Sequence, residues 1–483
     1  MLNLREIRTV SLAADPMRLA TTWPDDWPLM MIHSGRPHPR WARWSILARP
    51  IASWRFHERS IFRGARIVDL PESTSNDPLD LLDRILKATA HTRDPSLSVK
   101  LPFTGGWIGY ISYDLGRIIE PCAQTTRGNR GARMDRPWPL IEMAYCPDAL
   151  VYDNTRGVWY EIGSGQLSEQ LKANESPVWS GDHPNPEIGT LRSSFDPDTY
   201  LDAIGRTIEY IEAGDVFQAN ITQRFSTPFT GSPRALWQAA LACSQAWYGA
   251  YLEFDDASDN DARRIISVSP ELFLQVNPED RSVISRPIKG TRPQSIDPEV
   301  LRNSAKDKAE LNMIIDLMRN DLGRVCEYGT VLVPKARAIE SHPTVHHGVG
   351  EVTGTLRHNV TSGELLRATF PGGSVTGAPK IRAMQIIDEL EPVRRGPYCG
   401  AIGWFSDSGH VSLNIAIRTL LLSGRHDSTT NCFRGTLDYG AGGGIVADSD
   451  PLSEYRESLD KAAVLRLTLE ELRRPALETR PSS

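Results

Sequence analysis

Between residues 200 and 461 the hydrophobic pattern switches irregularly between the helical and the strand period. That irregularity excludes a regular succession of strand and helix. Tyr200 to Gly214 carries Ile204, Ile208 and Ile211 at helical spacing. Arg264-Ile265-Ile266-Ser267-Val268-Ser269 and Ser282-Val283-Ile284-Ser285 read as strands, with a turn at Asn277-Pro278-Glu279-Asp280 between them. Leu311, Ile314, Ile315, Met318 and Leu322 predict one helix from about Val300 to Leu322. Thr376-Gly377-Ala378-Pro379-Lys380 leads into a third helix that runs through Leu390. Asp450-Pro451 opens a fourth, with Asp as N-cap and Pro at the first helical position. Strands that arrive in hairpins do not build a doubly wound parallel sheet. The expected class is α/β in the broad (α+β) sense: large mixed, mainly antiparallel sheets with surrounding helices.

The first half has the same mixed character. Leu29-Met30-Met31-Ile32-His33-Ser34-Gly35 is an apolar run ending in a turn, and Gly105 through Tyr113 is an apolar strand whose glycines predict close backbone approach. From Gly163 to Asp198 the chain turns to Gly, Ser, Asn, Pro and Glu, as in Asn174-Glu175-Ser176-Pro177 and Asp182-His183-Pro184-Asn185-Pro186. That composition predicts a linker or a long surface excursion. The expected organisation is an N-terminal region at 1–165, a linker at 166–196, a larger domain at 197–468 and a frayed tail at 469–483.

Composition removes several classes of function. Lys+Arg number 54 and Asp+Glu 60, a net charge of −6, so there is no basic surplus for a nucleic-acid backbone. No apolar run approaches the ~18 residues of a membrane span. The first residues, Met1 to Arg8, show no apolar signal-peptide core. The six cysteines are scattered and form no Cys-x-x-Cys, which fits reduced thiols and a cytoplasmic setting.

Chemistry-bearing residues concentrate in the second half. Asp307 and Glu310 share one helix face, and Glu454 and Glu457 repeat the arrangement on the fourth helix. Together they offer the hard oxygen ligands that suit Mg²⁺, although pairs at this spacing are also common on solvated helix faces. Pro371-Gly372-Gly373-Ser374-Val375-Thr376-Gly377-Ala378-Pro379-Lys380 places glycines and hydroxyls before a helix, where free N–H groups favour an anion. Gly440-Ala441-Gly442-Gly443-Gly444 is a second stretch where backbone approaches something closely. Lys289, in Arg286-Pro287-Ile288-Lys289-Gly290-Thr291, sits between an apolar strand and a glycine. It is either an exposed lysine or one desolvated into a nucleophile. Glu271 lies across the presumed hairpin. A turn of three or five residues puts it on the face of Lys289, and one of two or four on the opposite face. Of the neighbours His346 and His347, one is expected to face solvent and the other to be a satisfied structural histidine.

These motifs, in this order, resemble the chorismate-utilising enzymes: anthranilate synthase component I, aminodeoxychorismate synthase component I, isochorismate synthase and salicylate synthase. The resemblance rests on Gly214-Asp215-Val216-Phe217-Gln218-Ala219-Asn220, Ser269-Pro270-Glu271, Pro287 through Thr291, Asp316 through Leu322, Pro371 through Lys380, Ile415-Ala416-Ile417-Arg418-Thr419 and Ala441 through Asp448. Pro102 through Gly106 and Tyr113 through Arg117 are similar to the aminodeoxychorismate synthase component I branch.

The resemblance implies a two-part sandwich fold and the reaction of chorismate with ammonia to give 4-amino-4-deoxychorismate, a precursor of p-aminobenzoate and folate. Anthranilate synthases typically carry Ala where this chain has Lys289. In the aminodeoxychorismate branch the lysine is implied as the nucleophile and Glu271 as the general acid/base. Mg²⁺ is implied at Glu310 and Glu457, with Asp307 and Glu454 beside them. Chorismate contacts are implied at Gly290, Thr291, His347, Ser374, Thr376, Tyr398, Arg418, Gly442, Gly443, Gly444 and Lys380. Some members hold tryptophan in the N-terminal half, and the matching positions here are Ser34, Arg43, Trp44 and Tyr248. The family's His-Leu-Val-Ser is replaced by His347-Gly348-Val349-Gly350. No glutaminase nucleophile elbow is present, so a separate glutamine amidotransferase subunit, or free ammonia, is implied as the nitrogen source. The rival readings are anthranilate, isochorismate or salicylate synthase, or an inactive chorismate-binding regulatory subunit.

Overall fold

A computed structural model describes residues 6–472 apart from 59, 64–76, 91–99, 125–130, 137, 174–185, 257–260, 343, 428–429 and 431. Two large sheets form the frame, one of 13 and one of 11 strands. Each crosses between the two halves of the sequence once. In the larger sheet Met30–His33 pairs antiparallel with Tyr248–Asp256, setting His33 opposite Gly249. In the smaller sheet Gly106–Ile111 pairs antiparallel with Ala401–Ser406. A Cβ on Gly109 would collide with the Glu142 carbonyl, and one on Gly403 with the Ser412 carbonyl, so the glycine-spaced strand packs as its sequence predicts. The two expected regions therefore share continuous sheets.

The sheets face each other across one apolar core. Ile46, Leu252 and Ile265 of the larger sheet meet Ile108, Met143 and Leu413 of the smaller. The outer face of the larger sheet is covered by helices Pro233–Cys243 and Pro451–Leu472, through Leu236, Trp237, Leu465 and Leu469. No helix among the described residues is long and apolar enough to cross a membrane. The stretch expected as a linker contributes helix Leu167–Ala173 and the short strands Glu187–Ile188 and Arg192–Ser193. Helix Pro451–Leu472 reaches into the expected tail, and residues 473–483 lie outside the described residues.

Local chemistry explains the helix ends. Asp196 accepts from the Thr199 N–H ahead of helix Pro197–Glu212, and Asp450 accepts from the Ser453 N–H ahead of Pro451–Leu472. The single helix expected from Val300 is two, Pro298–Asn303 and Ala305–Gly323, because Ser304 caps the second by accepting from the Asp307 N–H. The third helix starts at Lys380, since Gly377 and Ala378 are already paired with Ala219 and Gln218.

Candidate active site

The two 14-residue strands Gln218–Gly231 and Cys432–Ile445 form one wall, with Gly442, Gly443 and Gly444 opposite Thr222, Ile221 and Asn220. Gly444 lets two long side chains approach the backbone closely. A Cβ there would collide with the Gln218 amide and come within 3.2 Å of Lys289 Nζ. Lys289 thus reaches the glycine wall from strand Ile288–Pro293, where Gly290 adopts φ +81° at a register break.

Glu271 and Lys289 share this site through a β-bulge. Asn277 pairs with Ser282, leaving a four-residue turn that by alternation alone puts the two residues on opposite faces. The register then slips between Leu272 and Gln275, so that Leu272 pairs with Arg286. One extra residue on the first strand restores the shared face. Glu271 is 4% exposed. Burial pushes its carboxyl up to about 7, against hydrogen bonds from the Ser374 hydroxyl and the Ile288 N–H and the attraction of Lys289. Burial also lowers Lys289 from the ordinary lysine value, with Lys461 acting the same way and Glu310, Glu271 and Glu457 opposing. A carboxyl that keeps its proton near neutrality beside an amine that gives one up more readily is an arrangement able to combine a proton donor with a nucleophile.

The carboxylates gather on the far side of Lys289. Burial raises Glu310, and repulsion from Asp307 and Glu454 adds to this, while Lys289 and Lys306 oppose it. Glu454 accepts from the Ser449 hydroxyl at 2.7 Å, and Glu457 pairs with Lys461 at 2.8 Å. A Cβ on Gly443 would lie 3.1 Å from Glu454 Oε2 and 3.8 Å from Glu457 Oε1, so both carboxylates reach the glycine wall. Asp307 is tied to Arg292 at 2.8 Å. Among the described residues no cluster of three or more His, Cys, Asp or Glu is tight enough to hold a metal ion as it stands. The oxygen-only donors and the repulsion felt by Glu310 nonetheless suit a hard cation better than the dispersed lysines that now neutralise them.

A cavity of ≈ 160 Å³ opens beside this centre, lined in part by Gln245, His342, Thr344, His347 and Arg418. Burial lowers the Arg418 guanidinium, and the Tyr439 phenol opposes this. It is a cation on the cavity wall, held at φ +49°. Burial likewise holds His347 well below its ordinary value and therefore neutral, and its Nδ1 lies 2.8 Å from the Thr291 hydroxyl. Tyr398 is buried with its ring against Gly440. The Thr376 hydroxyl donates to the Gly372 carbonyl at 3.0 Å.

One sequence expectation falls differently, and two other groups of residues are found with partners of their own. His346 is buried at 5% like its neighbour, on strand Val345–Thr355 against which helix Ala305–Gly323 packs; the Ser341 hydroxyl meets its ring at 2.8 Å. The Lys380 amine is taken up by Asp321 at 2.6 Å and the Thr369 carbonyl at 2.8 Å, and so braces the loop ahead of it. Ser34, Arg43, Trp44 and Tyr248 are neighbours in the larger sheet but already engaged. Ser34 donates to the Trp44 carbonyl, Arg43 pairs with Asp153 and stacks on Trp44, and Tyr248 accepts from Arg286.

Two site residues were not singled out in the sequence. Lys461 donates to the Gly442 carbonyl at 2.8 Å as well as pairing with Glu457; its i+4 spacing from that glutamate was the available signal. Gln218 is fully buried against Gly444 with neither amide atom hydrogen-bonded, and no local pattern announces that.

The model of the chorismate binding enzyme family matches residues 38–466. Aminodeoxychorismate synthase component 1 of Escherichia coli is 36% identical over 446 residues, covering 89% of this chain and 91% of that protein. Anthranilate synthase component 1 of Pseudomonas aeruginosa is 34% identical over 468 residues, covering 91% and 89%. The crystal structure of anthranilate synthase component I from Streptococcus pneumoniae superposes with a TM-score of 0.70 at 29% identity, covering 90% of this chain and 93% of that one. With its sheets, glycine wall and acid–lysine pair in place, the chain belongs to the chorismate binding enzyme family.

Proposed function

We propose that the chain acts as an aminodeoxychorismate synthase component I, converting chorismate and ammonia to 4-amino-4-deoxychorismate. The observation that carries this reading is the recessed Lys289, its proton affinity lowered by burial, beside a Glu271 that titrates at about 7. The neutral Lys289 amine attacks ring C2, both conjugated ring double bonds shift by one position, and the C4 hydroxyl leaves as water with the proton of Glu271. Ammonia then attacks C4, both double bonds shift back, and the C2–N bond to Lys289 breaks. The new ammonium group returns a proton to the Glu271 carboxylate. One difficult displacement becomes two easier ones.

Arg418 and the cavity beside it would take one carboxylate of the chorismate dianion. Glu310 and Glu457, with Glu454 and Asp307 beside them, would hold Mg²⁺, which when bound supplies positive charge for the ring carboxylate. Ammonia would come from a glutamine amidotransferase partner or from free ammonium. The test is to incubate the chain with chorismate, Mg²⁺ and ammonium and to resolve the products chromatographically. A product that an added lyase turns into p-aminobenzoate supports the reading. Anthranilate, recognised by its fluorescence, or isochorismate would overturn it.

A further inference from the structure

Behind the active site lies a buried ion pair. Arg395 and Glu391 are 6% and 4% exposed and meet through two hydrogen bonds, Nε to Oε2 at 2.9 Å and Nη2 to Oε1 at 2.6 Å. Burying such a pair is costly, and its attraction alone seldom repays the desolvation. The remaining bonds show what it holds. Arg395 Nη1 donates to the Val375 carbonyl at 2.8 Å and Nη2 to the Asn220 carbonyl at 2.5 Å. Glu391 Oε1 accepts from both the N–H and the hydroxyl of Thr222, at 2.8 and 2.9 Å. The guanidinium also stacks on the Tyr113 ring, 4.5 Å from its centroid.

The two carbonyls belong to the two segments that shape the acid's surroundings. Val375 follows Ser374, the residue whose hydroxyl donates to Glu271. Asn220 stands opposite Gly444 in the glycine wall, and its N–H donates to the Thr376 carbonyl at 2.8 Å. A loop rich in glycine does not hold a hydroxyl in place unaided. Here a rigid planar fork bolts it to the wall.

We infer that Arg395, paired with Glu391, is a positioning residue that fastens the Ser374 loop to the glycine wall and so keeps Ser374 beside Glu271. This rests on the proposed role of Glu271. The groups that face Glu271 are Ser374, the Ile288 N–H, Lys289 and the Cys399 thiol. Of these only Ser374 is anchored by the clamp. Without the clamp the serine bond loosens and the carboxylate loses a stabilising donor, so the carboxyl titrates higher.

The test uses the double variant E391M/R395M, since replacing both members of a buried pair with apolar residues commonly leaves a fold intact. Glu271 is followed without substrate by ¹³C NMR of glutamate-labelled protein, with E271Q to assign the signal. Turnover is measured separately. We expect a folded variant whose Glu271 titration rises by roughly one pH unit and whose kcat falls about 10–100-fold with KM little changed. S374A should give the same titration shift, and adding it to the double variant should add nothing. A folded double variant with wild-type titration and kcat overturns the inference. If it does not fold, R395K decides. It keeps the charge but cannot span Glu391 and both carbonyls, so a wild-type titration in R395K overturns the inference too. Because the titration needs no reaction, it stands or falls apart from the identity of the product.

Discussion

Lys289 and Glu310 are each other's strongest charged neighbour. Burial lowers the lysine and raises the glutamate, and their mutual attraction opposes both shifts. The proposed nucleophile is therefore coupled to a proposed metal ligand. A cation drawn to Glu310 would weaken its hold on the lysine proton and favour the neutral amine.

That coupling gives the first prediction. E310Q and E457Q should each reduce Mg²⁺-dependent turnover by about two orders of magnitude, with circular dichroism and melting temperature near wild type. Steady-state rates across a Mg²⁺ titration check it. Full activity at ordinary Mg²⁺ in either variant removes that residue from the metal site.

Glu271 supplies a pH-dependent prediction about stability. Its folded-state value of about 7 lies above the ordinary 4.5, so the wild-type fold loses stability as pH rises through this window and the buried carboxyl ionises. E271Q has no charge to bury. Its melting temperature relative to wild type should be near zero difference below pH 4.5 and should rise until about pH 7, by an amount equivalent to at most roughly 3 kcal/mol. Turnover should fall by about 10²–10⁴-fold. A melting difference that does not change with pH would mean that Glu271 titrates as an ordinary carboxyl.

The same residue shows how far the sequence could be read. Its motif marks it as chemical, and the glycine triplet and the Asp450 cap are equally local signals that the structure places as read. Whether Glu271 shares a face with Lys289 depends on a bulge between Leu272 and Gln275, which alternation counting does not register. The break at Ser304 and the burial of His346 depend on which elements cover them. The joining of both halves into common sheets is a long-range pairing that no periodicity encodes.

Gly444 yields a steric prediction. G444A must push aside the Gln218 amide and crowd the Lys289 amine. kcat/KM for chorismate should fall about 100-fold while the protein remains folded. Wild-type kinetics in folded G444A would show that the wall tolerates a methyl group and that Lys289 does not depend on this contact.

Nitrogen supply gives a fourth. The purified chain should consume chorismate with ammonium salts at alkaline pH, where free ammonia is present, and not with glutamine. Adding a glutamine amidotransferase partner should confer glutamine dependence. Turnover of glutamine by the chain alone would contradict the partner assignment.

The covalent role of Lys289 is tested most directly by comparing product and rate in wild type, K289A and K289R, with intact-mass analysis of wild type held with chorismate and no ammonia. The account predicts a lysine adduct in wild type. It predicts a fall of orders of magnitude in 4-amino-4-deoxychorismate for K289A, with residual chemistry moved to C2. K289R should give no rescue, because a guanidinium stays protonated. Wild-type rate and product in K289A, with no adduct trapped, would contradict it.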